Sequence, residues 1–101
     1  MIIEVLYVPG CPHYQPTMER VKTVLLSEFL PDRPHGVAVN TDEQATWLKF
    51  PGSPTVRVNG RDIEPSATNQ IGLACRIYAN GSGVPGEPML RAAILRAKRE
   101  E

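Results

Sequence analysis

Residues 2 to 8, IIEVLYV, form an almost unbroken run of β-branched, aromatic and leucine side chains. Such a run predicts a strand buried on both faces, and therefore central in its sheet. Gly10 to Pro16 read as a turn leading into a helix. From Thr17 to about Leu30 the apolar residues Met18, Val21, Leu25 and Phe29 recur at spacings of three and four, one face of an amphipathic helix. PDRPHG then stops it, because neither proline can continue the hydrogen-bond ladder.

VAV at 37–39 predicts a second short strand. In TDEQATWLKF, Thr41 or Asp42 is placed to cap a helix whose first turn is acidic, as its dipole favours. Trp47, beside Leu48 and Phe50, reads as core. Val56 and Val58 alternate with Thr55 and Arg57, and Asn59-Gly60 is a strong type I′ hairpin signal. Two antiparallel strands, 55–58 and 61–64, follow. Residues 65–86 are ambiguous: IGLACRIY fits an extended segment, yet Leu73, Ala74, Ile77 and Tyr78 also fit a helical face. ANGSGVPGEP is a loop, and Pro88 suits the first position of a closing helix that runs to about Arg99 on Leu90, Ala93, Ile94 and Ala97. The order is β-α-β-α-β-β-(insert)-α. The first two strands should be parallel with a right-handed crossover, giving a four-stranded mixed sheet covered by helices, an α/β fold.

Composition narrows the function. The chain has 101 residues, the length of one small domain (1–101), and is 42% apolar. Eleven basic and eleven acidic residues cancel, which gives no electrostatic reason to expect nucleic acid or an anionic membrane as a partner. No apolar run approaches the roughly 20 residues that span a bilayer. MIIEVLYV lacks the basic start and cleavage site of a signal peptide, so the expected location is the cytoplasm. Two cysteines are too few for a disulfide scaffold there.

The candidate chemistry sits in YVPGCPHYQP, residues 7–16. Cys11 lies past the carboxyl end of a strand, where α/β sheets open their crevices, and just before a helix. Unpaired N–H groups at a helix N-terminus stabilise an anion such as a thiolate, and a protonated His13 would add positive charge. Settings of this kind lower a cysteine pKa from about 8.5 to between about 3.5 and 7.5. The plainer reading is that Cys11 fills a turn and His13 is solvated. Pro54, in GSPT at 52–55, stands at a strand start, the position where a proline fits a sheet. A cis bond at Ser53–Pro54 would aim the preceding backbone at the crevice.

The order of elements, the GCPHY turn after the first strand and SPT opening the hairpin together resemble a thioredoxin-like domain, over residues 1–64 and the final helix. YVPGCPHY, GSPTVRVNGRDIEP and GLACRIY are similar to small bacterial thioredoxin-family proteins, some labelled alkylmercury lyase-like. The resemblance implies that Cys11 attacks and that Pro54, flanked by Ser53 and Thr55, binds the partner chain. CPH also begins the active turn of bacterial periplasmic disulfide-forming oxidases, which implies that His13 stabilises the thiolate. This chain has Tyr14 where the family's second cysteine would stand.

Three routes remain for a single turn cysteine. Cys75 resolves the mixed disulfide that Cys11 forms, or is instead a small core residue. Glutathione resolves it, with Arg57 and Arg76 as candidates to hold its carboxylates. Two thiolates take a soft metal, although no Cys/His spacing matches a structural zinc site and neither a metal nor another cofactor is expected. Tyr14 either donates its hydroxyl to the Cys11 sulfur or packs against a neighbour. The expected activity is thiol–disulfide exchange with protein or small-molecule partners. The alternative from another class is a non-catalytic module that binds an extended peptide around Pro54.

Overall fold

The computed structural model describes residues 1–65 and 70–101. Strands β1 (Ile3–Tyr7), β2 (Pro34–Ala38), β3 (Thr55–Val58) and β4 (Arg61–Asp62) form one mixed sheet in the order β2-β1-β3-β4. β1 runs parallel to β2 and antiparallel to β3, which puts the apolar N-terminal run between two neighbours. Helices α1 (Tyr14–Ser27), α2 (Asp42–Trp47) and α3 (Glu87–Arg99) complete the fold. No helix among the described residues is long and apolar enough to cross a membrane.

The period-two alternation of β1 divides the core. Ile3 and Val5 stand opposite Val58 and Val56, and pack with Met18, Val21, Val24 and Leu25 of α1 and Leu90 and Ile94 of α3. Leu6 points to the other face, where it meets Val39, Ala45 and Phe50. Full burial of side chains of this size contributes roughly 1.5–3 kcal/mol each. Arg91 of α3 ties the two helices of the first face together by donating to Ser27 Oγ and Glu28 Oε1 of the α1 terminus.

Several boundaries differ from the expected ones, each for a local reason. α1 begins at Tyr14, three residues early, because Pro16 falls in the first turn, where a missing N–H costs nothing. It ends before Phe29, which adopts a left-handed φ of 56°. The Phe29 N–H donates to Leu26 O and the Leu30 N–H to Leu25 O, the paired bonds of a Schellman cap. α2 closes identically: Lys49 has φ 51°, and the Lys49 and Phe50 N–H groups reach Thr46 O and Ala45 O. These caps turn Leu30 and Phe50 toward the core and leave Phe29 (94% exposed) and Trp47 (87% exposed) outside it. Both aromatics were expected on the apolar side.

Thr41 is the α2 cap: its Oγ1 accepts from the Gln44 N–H at 3.1 Å. β2 starts at Pro34, not at residue 37, with the proline at the first position of an edge strand. Asn59 and Gly60 both have positive φ, as a type I′ turn requires. β4 is only two residues long, because the Asp62 carboxylate accepts from the Glu64 N–H and turns the chain away. Residues 70–86 of the ambiguous stretch form no helix; they run as turns, bends and irregular chain with one isolated bridge at Cys75. Residues 66–69 of that stretch lie outside the described residues.

Candidate functional site

A chain of four hydrogen bonds runs from the end of β1 to the 74–76 segment. The Cys11 N–H donates to Val8 O at 3.0 Å, closing the turn that follows the strand. The Val8 N–H donates to Ser53 Oγ at 3.0 Å, tying that turn to the start of β3. The Ser53 backbone is engaged on its other side: its N–H donates to Ala74 O at 2.9 Å and its C=O accepts from the Arg76 N–H at 3.0 Å. Ser53 therefore pairs with Cys75 as an isolated parallel bridge. Both cysteines reach one end of the sheet: Cys11 is bonded to Val8, and Cys75 stands between the two residues bonded to Ser53. Both are free thiols; Cys11 is half-buried and Cys75 exposed.

Cys11 stands three residues ahead of α1. The Tyr14 N–H donates back to Cys11 O at 3.3 Å, and the helix has no side-chain N-cap. His13, at the cap position, lays its ring on Gly83 instead: a methyl group there would lie 2.5 Å from His13 Cδ2. Only a residue without a side chain lets the 79–86 loop pass so close.

Tyr14 packs rather than donates. Its ring stacks on Tyr7 at 3.7 Å, and its hydroxyl lies over Gly36 of β2. Among the described residues it makes no hydrogen bond to Cys11. Burial, with the neighbouring Tyr7, raises its pKa above the ordinary tyrosine value.

The expected substrate-binding residues all turn inward. Ser53, Pro54 and Thr55 are buried, and the Ser53–Pro54 peptide bond is cis. Thr55 Oγ1 donates to Gly52 O at 2.7 Å and accepts from Arg76 at 3.1 Å. Arg76, 3% exposed, is the largest departure. Its guanidinium grips both Asp62 oxygens at 2.8 Å and donates to Glu64 O at 3.0 Å. It also lies 4.3 Å from the centre of the Tyr78 ring, and Tyr78 donates its hydroxyl to Pro54 O at 2.7 Å. A side chain so engaged has no reach toward a glutathione carboxylate. Arg57 is likewise committed, donating to Leu48 O and Lys49 O.

Burial alone would lower the Arg76 pKa; the hydrogen bonds to Asp62, helped by the surrounding negative charge, outweigh it and raise it. Burial raises the Tyr78 pKa well above the ordinary tyrosine value despite the nearby Arg76.

Asp62 and Tyr78 are the site residues that sequence reasoning missed. No local pattern marks them, because the alternation Arg76-Ile77-Tyr78 runs against the apolar rule: Arg76 and Tyr78 are buried and Ile77 is 62% exposed. Away from the cysteines, a groove of about 730 Å³ lies between the β3–β4 hairpin and α3, lined by Val58, Ile63, Met89 and Arg96 among others. Arg57 and Asp62 reach its lining, whereas neither Cys11 nor Cys75 does. Among the described residues no group of three or more His, Cys, Asp or Glu side chains converges as a metal site.

No family model, curated protein or solved structure matches the chain in comparison with known proteins.

Proposed function

We propose that this protein is a thiol–disulfide oxidoreductase of the thioredoxin-like class, with Cys11 as the attacking thiolate and Cys75 as the resolving thiol. The observation that carries the reading is the Ser53 junction, which joins the Cys11 turn through Val8 and the Cys75 segment through the sheet-like bridge. Two cysteines 64 positions apart (75 − 11) thereby share one end of one sheet. The strand–turn–helix setting of Cys11 and the proline opening the neighbouring strand support the class.

The cycle balances as two exchanges. The Cys11 thiolate attacks a disulfide R–S–S–R, forms Cys11–S–S–R and releases one RS⁻. The Cys75 thiolate then attacks the Cys11 sulfur, forms the Cys11–Cys75 bond and releases the second RS⁻. Substrate is reduced by two electrons and the chain oxidised by two; each released thiolate takes a proton according to its pKa. An excess small thiol such as glutathione, present in a reducing cytoplasm, returns the protein to the dithiol form. Closure needs the two Cα atoms within about 7 Å; the Ser53 junction holds the Cys75 segment at the Cys11 end of the sheet with Cys75 itself exposed. A non-catalytic module for an extended peptide is disfavoured, because the Ser53 backbone it would pair with is already bonded within the chain.

Turnover of a small disulfide by single-cysteine variants tests the cycle. Cys11→Ser should abolish it. Cys75→Ser should perform the first attack and then stall unless glutathione is supplied. Wild-type rates from Cys75→Ser without glutathione would remove Cys75 from the cycle.

A further inference from the structure

We infer that residues 74–76 fill the strand-docking edge beside Cys11, so that the disulfides it attacks are small molecules and not extended polypeptides. The inference rests on the oxidoreductase reading and adds the class of substrate. A polypeptide that docks on a sheet gains affinity by adding a strand, through main-chain hydrogen bonds to exposed N–H and C=O groups. On the Ser53 side of Cys11, the groups that would pair with a strand already have internal partners. Tyr7 O accepts from the Val39 N–H, Val8 O from the Cys11 N–H, and Cys11 O from the Tyr14 N–H. The Val8 N–H is taken by Ser53 Oγ. Both backbone groups of Ser53 are taken by Ala74 and Arg76, and Pro54 O by the Tyr78 hydroxyl.

The segment that takes the Ser53 edge is fastened, not merely adjacent. Arg76 is locked to Asp62 through two hydrogen bonds in a pair almost closed to solvent. Tyr78, two residues on, is buried and bonded to Pro54. Gly52 completes the fit: its φ of 134° and the approach of Ala74 O, 3.1 Å from where a Cβ would stand, leave no room for a side chain. A peptide strand would have to break this lock to reach Ser53. A small disulfide needs only access to Cys11, which is half-buried.

The test uses the full chain carrying Cys75→Ser, so that Cys11 is its single thiol. Two thionitrobenzoate mixed disulfides serve as probes, one of glutathione and one of a ten-residue extended peptide with a central cysteine. Attack by Cys11 on the probe's carrier sulfur forms the Cys11–carrier disulfide and releases the coloured thionitrobenzoate anion, so each rate is read directly. The ratio of the two rates is compared with the ratio for free cysteine. With the edge filled, the ratio for Cys11 should stay at or above that of free cysteine in favour of the glutathione probe, whereas an open edge forming two main-chain hydrogen bonds would shift it toward the peptide by about tenfold. Loosening the lock with Asp62→Asn, or with the milder Tyr78→Phe should the former fail to fold, should return part of the rate on the peptide probe. A ratio shifted about tenfold toward the peptide probe overturns the inference. A glutathione-probe rate no faster than that of free cysteine overturns the oxidoreductase reading instead, and the ratio still decides the substrate class.

Discussion

Cys11 and Cys75 arrive at the same end of the sheet by opposite means. Cys11 is held by its immediate neighbours: a turn bond to Val8, a bond from Tyr14, and a helix that starts three residues later. Cys75 belongs to a segment with no helix and no ladder beyond one bridge, fixed by partners far along the chain. Arg76 reaches back 14 residues to Asp62, and Tyr78 reaches back 24 to Pro54. The first cysteine is positioned by backbone geometry, the second by a buried charge pair. Perturbing that pair should therefore release one cysteine and leave the other in place.

The largest effect is expected from Asp62→Ala, which strips the Arg76 guanidinium of its counter-charge while leaving it buried. Breaking one side of such a pair typically costs about 3–5 kcal/mol, measured here as the loss in urea unfolding free energy. Amide exchange should accelerate across 70–80 while Cys11 and Tyr14 keep their protection. Equal acceleration in both regions would show that the two cysteines do not depend on separate supports.

Tyr78→Phe sharpens the comparison by removing one bond and no charge. Loss of the hydroxyl from buried Pro54 O should cost about 1–2 kcal/mol. It should also change the response to alkali. The Tyr78 pKa is raised in the folded state above the ordinary 10.0, so folding favours the protonated form. That stability is fully present below about pH 10 and is lost as pH rises beyond it, where the unfolded chain gives up its proton first. Unfolding midpoints of the wild type should fall more steeply than those of Tyr78→Phe above about pH 10, and alike below it.

The same contrast explains what could be read in advance. The central strand, the type I′ turn at Asn59-Gly60, the closing helix after Pro88 and the Cys11 turn all rest on signals within a few residues. Phe29 and Trp47 were misplaced because both helices end in left-handed residues that are not glycine, so the usual stop signal is absent. Arg76 was misread for a deeper reason. Nothing near it in sequence marks it as buried; its partner Asp62 lies 14 residues back, in β4, and looks like an ordinary surface acid. The apolar rule would place Ile77 inside, whereas the charge pair turns that position outward.

The smallest effect, and an opposite one, is expected at the α1 cap. Phe29 is held at φ 56° and is exposed, so Phe29→Gly relieves backbone strain without removing packing. It should stabilise the fold by roughly 0.5–1 kcal/mol, visible as a higher melting temperature. It should alter the reactivity of neither cysteine.

Intact-mass measurement after exposure to glutathione disulfide decides whether the two cysteines work together. The wild type should lose two hydrogens and carry no adduct, with a Cys11–Cys75 peptide recovered on digestion, while Cys75→Ser should hold one glutathionyl group on Cys11. A wild-type protein that keeps the glutathionyl group on Cys11 with Cys75 still a free thiol would contradict the resolving role of Cys75.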